Sequence, residues 1–179
     1  MIVNHIPFLV DATRGEYGTL IGHVARANSI WKSFSSEIAS VIIFQGPQGY
    51  ITPSWYPSKH RHGKAVPTWN YTVVHAHGIP RAIEDKDWLL QHVTTLSDLY
   101  ESKRAMPWRV SDAPSEYIDS MLNTIIGIEI PINAVVGQWK MSQNKPLSDK
   151  LGIIEGLHEH VDENSQQMVA LVKRGNHKI

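Results

Sequence analysis

The strongest constraint on the fold of this chain is a change of hydrophobic period near Arg81. Before it, short runs rich in Val, Ile, Tyr and Thr are separated by turn residues, at 5–10, 19–24, 39–44, 50–55 and 66–77, and these predict strands. Gly46-Pro47-Gln48-Gly49 has Pro and Gly where a four-residue turn needs them, so 40–44 and 49–55 are expected to form an antiparallel hairpin. Five strands so close together suggest a small barrel. A short helix over 28–34, capped by Asn28, interrupts them.

After Arg81 the apolar spacing becomes helical. Trp88, Leu89, Val93, Leu96 and Leu99 recur at intervals of three and four across 84–101, with acids in the first turn. Asp112 as cap, Pro114 near the first position, the stripe from Tyr117 to Ile125 and Gly127 as terminator predict a second helix. Residues 128–140 alternate as one or two strands around Gly137. Two shorter helices broken near Asp162 follow over 147–173. Nothing resembling a linker divides the 179 residues, so the expectation is one α+β domain over 1–179 whose part from about 145 onward is helical.

Composition narrows the chemistry. There is no cysteine, which excludes disulfides, thiolate metal sites and a cysteine nucleophile. No apolar run approaches the roughly 20 residues needed to span a bilayer, and residues 1–11 lack the pattern of a signal peptide, so a cytoplasmic protein with no membrane partner is expected. The formal charge is zero but unevenly spread. Residues 1–83 hold Arg14, Arg26, Lys32, Lys59, Arg61, Lys64 and Arg81 against Asp11, Glu16 and Glu37, which is 7 − 3 = +4. Between Glu37 and Glu84 there is no carboxylate, while Phe44, Tyr50, Trp55, Tyr56, Trp69 and Tyr71 fall in that stretch. Such a segment can host an anion and a flat ring; a β-rich core from which acids are depleted explains it equally well.

Glycine fingerprints of Rossmann and P-loop nucleotide sites are absent. Three His-x-His triplets occur: no carboxylate lies near His75/His77 in sequence, His60 and His62 fall in a basic, looped stretch, and His158 and His160 would point apart on a helix, so no metal ligand is assigned. The run Gly22-His-Val-Ala-Arg-Ala-Asn28 is more specific. A strand end, Arg26 and a helix start at Asn28 offer a guanidinium fork and free backbone donors to a phosphate.

These segments, together with Asn4-His-Ile-Pro-Phe-Leu9, Phe44-Gln-Gly-Pro-Gln-Gly-Tyr-Ile-Thr-Pro-Ser-Trp-Tyr-Pro-Ser-Lys59, Val66-Pro-Thr-Trp-Asn-Tyr71, Pro107-Trp-Arg-Val-Ser-Asp112 and Gly137-Gln-Trp-Lys-Met-Ser-Gln-Asn144, closely resemble the PaiB-type family of FMN-binding negative transcriptional regulators. The resemblance implies a split β-barrel of the kind used by pyridoxamine-phosphate oxidases, with flanking helices, as a homodimer holding FMN in a cleft between subunits. By analogy with such barrels, His23, Arg26 and Asn28 would hold the phosphate. Ser54, Trp55, Tyr56 and Lys59 would line ribityl or ring along one strand, Trp69 and Asn70 would follow on the next, and Trp139, Lys140 and Gln143 would come from the partner subunit. For the aromatics, core packing is an equal alternative. Family members carry a helix and a strand upstream of the segment matching 4–9; a chain starting here is expected to lack them and to bind FMN more weakly. The resemblance brings a DNA partner only by analogy, since no helix-turn-helix or basic face accompanies it. A flavin-dependent oxidoreductase or flavin reductase is the alternative, with no catalytic residue assigned, and a haem- or metal-binding split barrel the minor one.

Overall fold

Strands dominate the first half and helices alternate with them in the second, with more strand continuity than the turn residues predict. The computed structural model describes residues 3–175. Among them are β1 (Leu9–Asp11), β2 (Thr19–Ala25), β3 (Ser40–Ile51), α1 (Pro57–His62), β4 (Thr68–Gly78), β5 (Arg81–Ile83), α2 (Lys86–Glu101), α3 (Ser115–Leu122), β6 (Ile125–Lys140), α4 (Leu147–His158) and α5 (Glu163–Arg174). The strands pair in the order β1-β2-β6-β4-β3, with β5 also on β6. The β1–β2, β2–β6 and β5–β6 ladders are antiparallel, so the fold is an α+β arrangement of an antiparallel sheet with helices. No helix among the described residues is long and apolar enough to cross a membrane.

The chain packs as two compact units, Met1–Ile42 with Ala76–Val135, and Ile43–His75 with Val136–Ile179. Strands β3, β4 and β6 each contribute a segment to both. In the first unit the register places Leu20 opposite Ile130, Gly22 opposite Ile128 and Val24 opposite Ile126. Alternate residues of both strands therefore share one face, and they bury with Ala76 and Ile132 against Phe8, Trp31 and Phe34. Gly22 is required there, because a Cβ would press into the Phe8 ring. The first helical turn forms as expected, as a 3-10 helix over Ser29–Ser33, with the Asn28 side chain accepting from the Ile30 amide.

In the second unit, Ile51, Tyr56 and Met141 pack with Ile153, Ile154 and Leu157 of α4 and Met168, Val169 and Val172 of α5. The break between those helices falls at Asp162, which caps α5 by accepting from the Ser165 amide at 2.9 Å and hydroxyl at 2.7 Å. Trp55 lies on α4 where Gly152 and Gly156, one turn apart, leave no side chain in its way.

Four expectations are corrected. No hairpin forms at 46–49, because β3 runs unbroken from Ser40 to Ile51. Gly46 serves close approach to β4, since a Cβ there would collide with the Thr72 hydroxyl. Pro47 is tolerated because β3 ends the strand order, and the next residue bonds sideways: the Gln48 amide donates to Asn164 Oδ1 at 3.0 Å and Asn164 Nδ2 to the Gln48 carbonyl at 2.8 Å. Second, Ser54, Trp55, Tyr56 and Lys59 do not lie along a strand. Thr52 caps a 3-10 turn over Pro53–Trp55, and Pro57 then starts α1, so the prolines that look like strand ends open helical turns instead. Third, His60 and His62 lie in α1 rather than in a loop. Fourth, Gly127 does not terminate a helix but lies inside β6, beneath the Trp88 ring.

Replacing a helical glycine by alanine ordinarily stabilises by up to about 1 kcal/mol. At Gly156 the sign reverses, because the new methyl enters the Trp55 indole. Gly156→Ala is expected to lose roughly 1–3 kcal/mol in urea unfolding. A gain would show that Trp55 does not sit on α4.

Candidate functional site

The residues expected to hold phosphate lie in the first unit, and each already has partners. Arg26 follows the end of β2. Its Nη1 pairs with Glu84 Oε2 at 2.6 Å, Nε donates to the Asn123 carbonyl at 2.8 Å and Nη2 to the Ile125 carbonyl at 3.4 Å. Its own amide donates to the Thr124 carbonyl at 2.7 Å. The fork thus staples β2 to the turn that leads into β6, and a phosphate at this guanidinium would have to displace Glu84. Asn28 is similarly engaged: Oδ1 holds the Ile30 amide, and Nδ2 donates to Asn4 Oδ1 at 2.7 Å.

His23 is half-buried on β2, opposite Gly127, and its Nδ1 lies 2.9 Å from Nε2 of His92 on α2. Because Gly127 carries no side chain, Trp88 can lie over it and stack on the His92 ring, with centroids 5.5 Å apart and planes at 25°. His92 is 5% exposed, and its Nδ1 has no hydrogen-bond partner among the described residues. Both imidazoles are neutral near pH 7: burial lowers the pKa of His23, and burial together with the neighbouring His23 pushes His92 down to about 4. Trp88 and His92 stand four apart on α2, the spacing of one helix face, which is the signal that could have paired them from sequence. Their meeting with His23 needed the sheet register.

The remaining candidates lie in the second unit, some sealed inside and others exposed. Tyr56 is wholly buried with Lys145 Nζ 4.5 Å above its ring, and its hydroxyl has no partner among the described residues. Asn70 is equally buried, with Oδ1 accepting from the Ser142 hydroxyl at 3.0 Å and Nδ2 unpartnered. Ser142 holds a left-handed φ of 57°, unusual for a side-chain-bearing residue, in a turn that Gln143 braces by accepting from the Met141 amide at 2.8 Å and donating to the Trp139 carbonyl. Beside Tyr56, Ser58 donates its amide and its hydroxyl to Asp149 at 3.0 and 2.7 Å. Neither Ser142 nor Asp149 was a sequence candidate. Serine and aspartate without a glycine neighbour or a partner in sequence give no such signal.

Exposed side chains make up the rest of this set. Trp69 is held by a bond from Nε1 to Gln48 Oε1 at 3.2 Å yet remains 47% exposed, and Trp139 is 41% exposed. Lys59 Nζ lies 3.4 Å from Ser54 Oγ, and Lys140 Nζ lies 5.9 Å from the Tyr71 ring centre. Trp55 packs on α4, edge-on to His160 at 6.3 Å. All five residues from Val136 to Lys140 are exposed, although successive strand residues point to opposite faces, so both faces of this strand segment are bare.

The family model described as "Putative FMN-binding domain" matches residues 1–134. The chain belongs to that family. It is 31% identical to "Protease synthase and sporulation protein PAI 2" of Bacillus subtilis, over 96% of this chain and 80% of that protein. It is also 33% identical to an uncharacterized protein of Aspergillus fumigatus, over 98% of this chain and 83% of the other. The PaiB-type resemblance of the sequence segments therefore holds. Among solved structures, the flavocytochrome Anf3 from Azotobacter vinelandii aligns at a TM-score of 0.43 and 11% identity, over 68% of this chain and half of that one. Trp139, Lys140 and Gln143 lie beyond the residues that the family model matches.

The paired histidines of this family member predict an acid limb of stability. Their folded pKa values lie below the unfolded value of about 6.5, so folding is unaffected by them above that pH and is progressively opposed as pH falls toward 4. For His92 the cost at pH 5 is roughly 2 kcal/mol. The urea midpoint is expected to drop between pH 7 and pH 5, and to drop less in His92→Leu. Identical pH profiles for both proteins would remove the histidine pair as the cause.

Proposed function

We propose that this chain binds FMN as a homodimer, with the exposed aromatic face of the second unit meeting the flavin ring and a second copy of the chain. Membership of a family described by FMN binding supports the cofactor. The observation that carries the site and the assembly is the bare strand segment Val136–Lys140, with Val136 at 59% and Trp139 at 41% exposure. A strand left uncovered on both faces is an interaction surface, and aromatic side chains are the residues enriched at such surfaces. Ile43, Phe44, Tyr50, Trp69 and Val74 of the same unit are exposed as well.

The residues fit a flavin mononucleotide. Trp69 and Trp139 offer exposed indole faces for stacking, Lys59 and Lys140 offer ammonium groups to a phosphate, and residues 43–75 contain no carboxylate to repel one. Tyr56 and Asn70 are sealed and serve by holding the surrounding turns. A bound flavin supplies hydride and single-electron chemistry at its ring, and the protein's part is to bind and orient it. A regulatory role for the flavin-bound dimer is carried by resemblance alone. Mobility shift on DNA against reduction of the flavin by NADPH separates regulator from oxidoreductase.

The purified protein is expected to show a flavin absorbance spectrum or to quench the fluorescence of added FMN. Trp69→Ala and Trp139→Ala should each weaken FMN by loss of stacking, about 1–3 kcal/mol or roughly five- to 150-fold. The absence of both a flavin spectrum and quenching would overturn the cofactor reading.

A further inference from the structure

The acid-free stretch of the sequence also ends in a second feature, in the first unit and separate from every candidate above. A groove of about 520 Å³ lies between the 3-10 helix with the residues following it and the segment leading into β5. Trp31, Lys32, Phe34, Ser35, Ser36 and Arg81 supply its chemistry, with Ile79, Pro80 and Ala82 completing the wall. That volume is in the range of small-ligand sites.

Its charge is uncompensated. Lys32 and Arg81 line it from two different elements, no lining residue carries a carboxylate, and neither cation forms an ion pair among the described residues. The acids on adjoining elements are engaged elsewhere. Glu129, across the ladder from Arg81, pairs with Arg14 at 2.8 Å, and Glu84 pairs with Arg26; Glu37, next to the lining serines, is exposed and does not line the groove. Two serine hydroxyls add neutral donors.

The aromatic wall is fixed in place. Trp31 Nε1 donates to the Arg26 carbonyl at 3.2 Å, and Trp31 and Phe34 both pack against the core of this unit. Lys32 Nζ stands over the Trp31 ring, 5.4 Å from its centre, so the ammonium and the indole are held together. A guanidinium fork, an ammonium group and hydroxyls beside a rigid indole match a phosphate monoester attached to a flat heterocycle.

We propose that this groove binds the phosphate end of a mononucleotide, with Lys32 and Arg81 as the paired cations and Trp31 as the wall against its base or ring. The flavin phosphate is proposed above to meet Lys59 and Lys140 of the second unit, so the ligand of this groove is a second nucleotide, the AMP-like half of another cofactor. The proposal does not depend on the flavin reading.

The test compares wild type with Lys32→Ala/Arg81→Ala by calorimetric titration with four probes: FMN, riboflavin, AMP and adenosine. Both side chains are exposed, so the variant is expected to keep its circular dichroism spectrum and urea midpoint. The wild type should prefer AMP to adenosine, and the double variant should lose about tenfold or more for AMP while adenosine is unchanged. FMN and riboflavin report on the second unit, and their binding is expected to be the same in both proteins. Arg81→Lys, which keeps the charge but not the fork, should fall between. No preference for AMP over adenosine in the wild type, or a preference that survives in the double variant, overturns the proposal; a loss of FMN binding in the double variant also overturns it, by assigning the groove to the flavin, whereas failure of both proteins to bind FMN removes the flavin reading and leaves this one standing.

Discussion

The packing in both units depends on a tryptophan ring laid on glycine. In the first unit the Trp88 ring of α2 lies over Gly127 of β6, and in the second the Trp55 ring lies over Gly156 of α4, with the Trp55 carbonyl against Gly152. A ring brought onto bare backbone removes a large apolar area from water at a point where any side chain would hold the elements apart. Trp88 thereby stacks on His92 and forces it against His23, away from solvent. Trp55 sets the course of the chain from the end of β3 into α1, which fixes where Tyr56, Ser58 and Lys59 lie. The candidate side chains thus follow from two packing contacts.

Buried polar groups then divide the candidates into those that shape the protein and those free to meet a ligand. Arg26 and Asn28 use their side chains on their own chain, as do Asn70 with Ser142 and Ser58 with Asp149. A buried donor or acceptor without a partner costs about 1–3 kcal/mol, so such bonds are kept. What remains available is apolar or cationic: Trp69, Trp139, Lys59 and Lys140 in the second unit, Lys32 and Arg81 in the first. That remainder is suited to an anionic, flat ligand and poorly suited to acid–base chemistry, in keeping with a site whose reactivity comes from a cofactor.

Much of the fold was legible because its signals are local. Asn28, Asp85 and Asp162 each bond an amide at the start of the helical segment they precede, the acid in the first turn of α2 is present, and the break between α4 and α5 falls where a capping residue stands. The two misread glycines share one cause. Gly46 and Gly127 look like punctuation, yet both are there for close approach of a distant element, which depends on tertiary structure and leaves no local mark. The candidate site was legible in the same measure. Trp69, Trp139 and the lysines stand out in the sequence as aromatic and cationic residue types; which of the aromatics would be sealed, as Tyr56 is, and that Arg26 would be engaged by Glu84, depended on contacts between residues tens of positions apart.

The central claim is that the bare face of the second unit is where flavin and partner meet. Amide hydrogen exchange across Val136–Lys140, followed over a protein dilution series with and without FMN, tests it most directly. Protection that grows with protein concentration and grows further with FMN is the predicted result. Exchange in this segment that responds to neither would contradict the account.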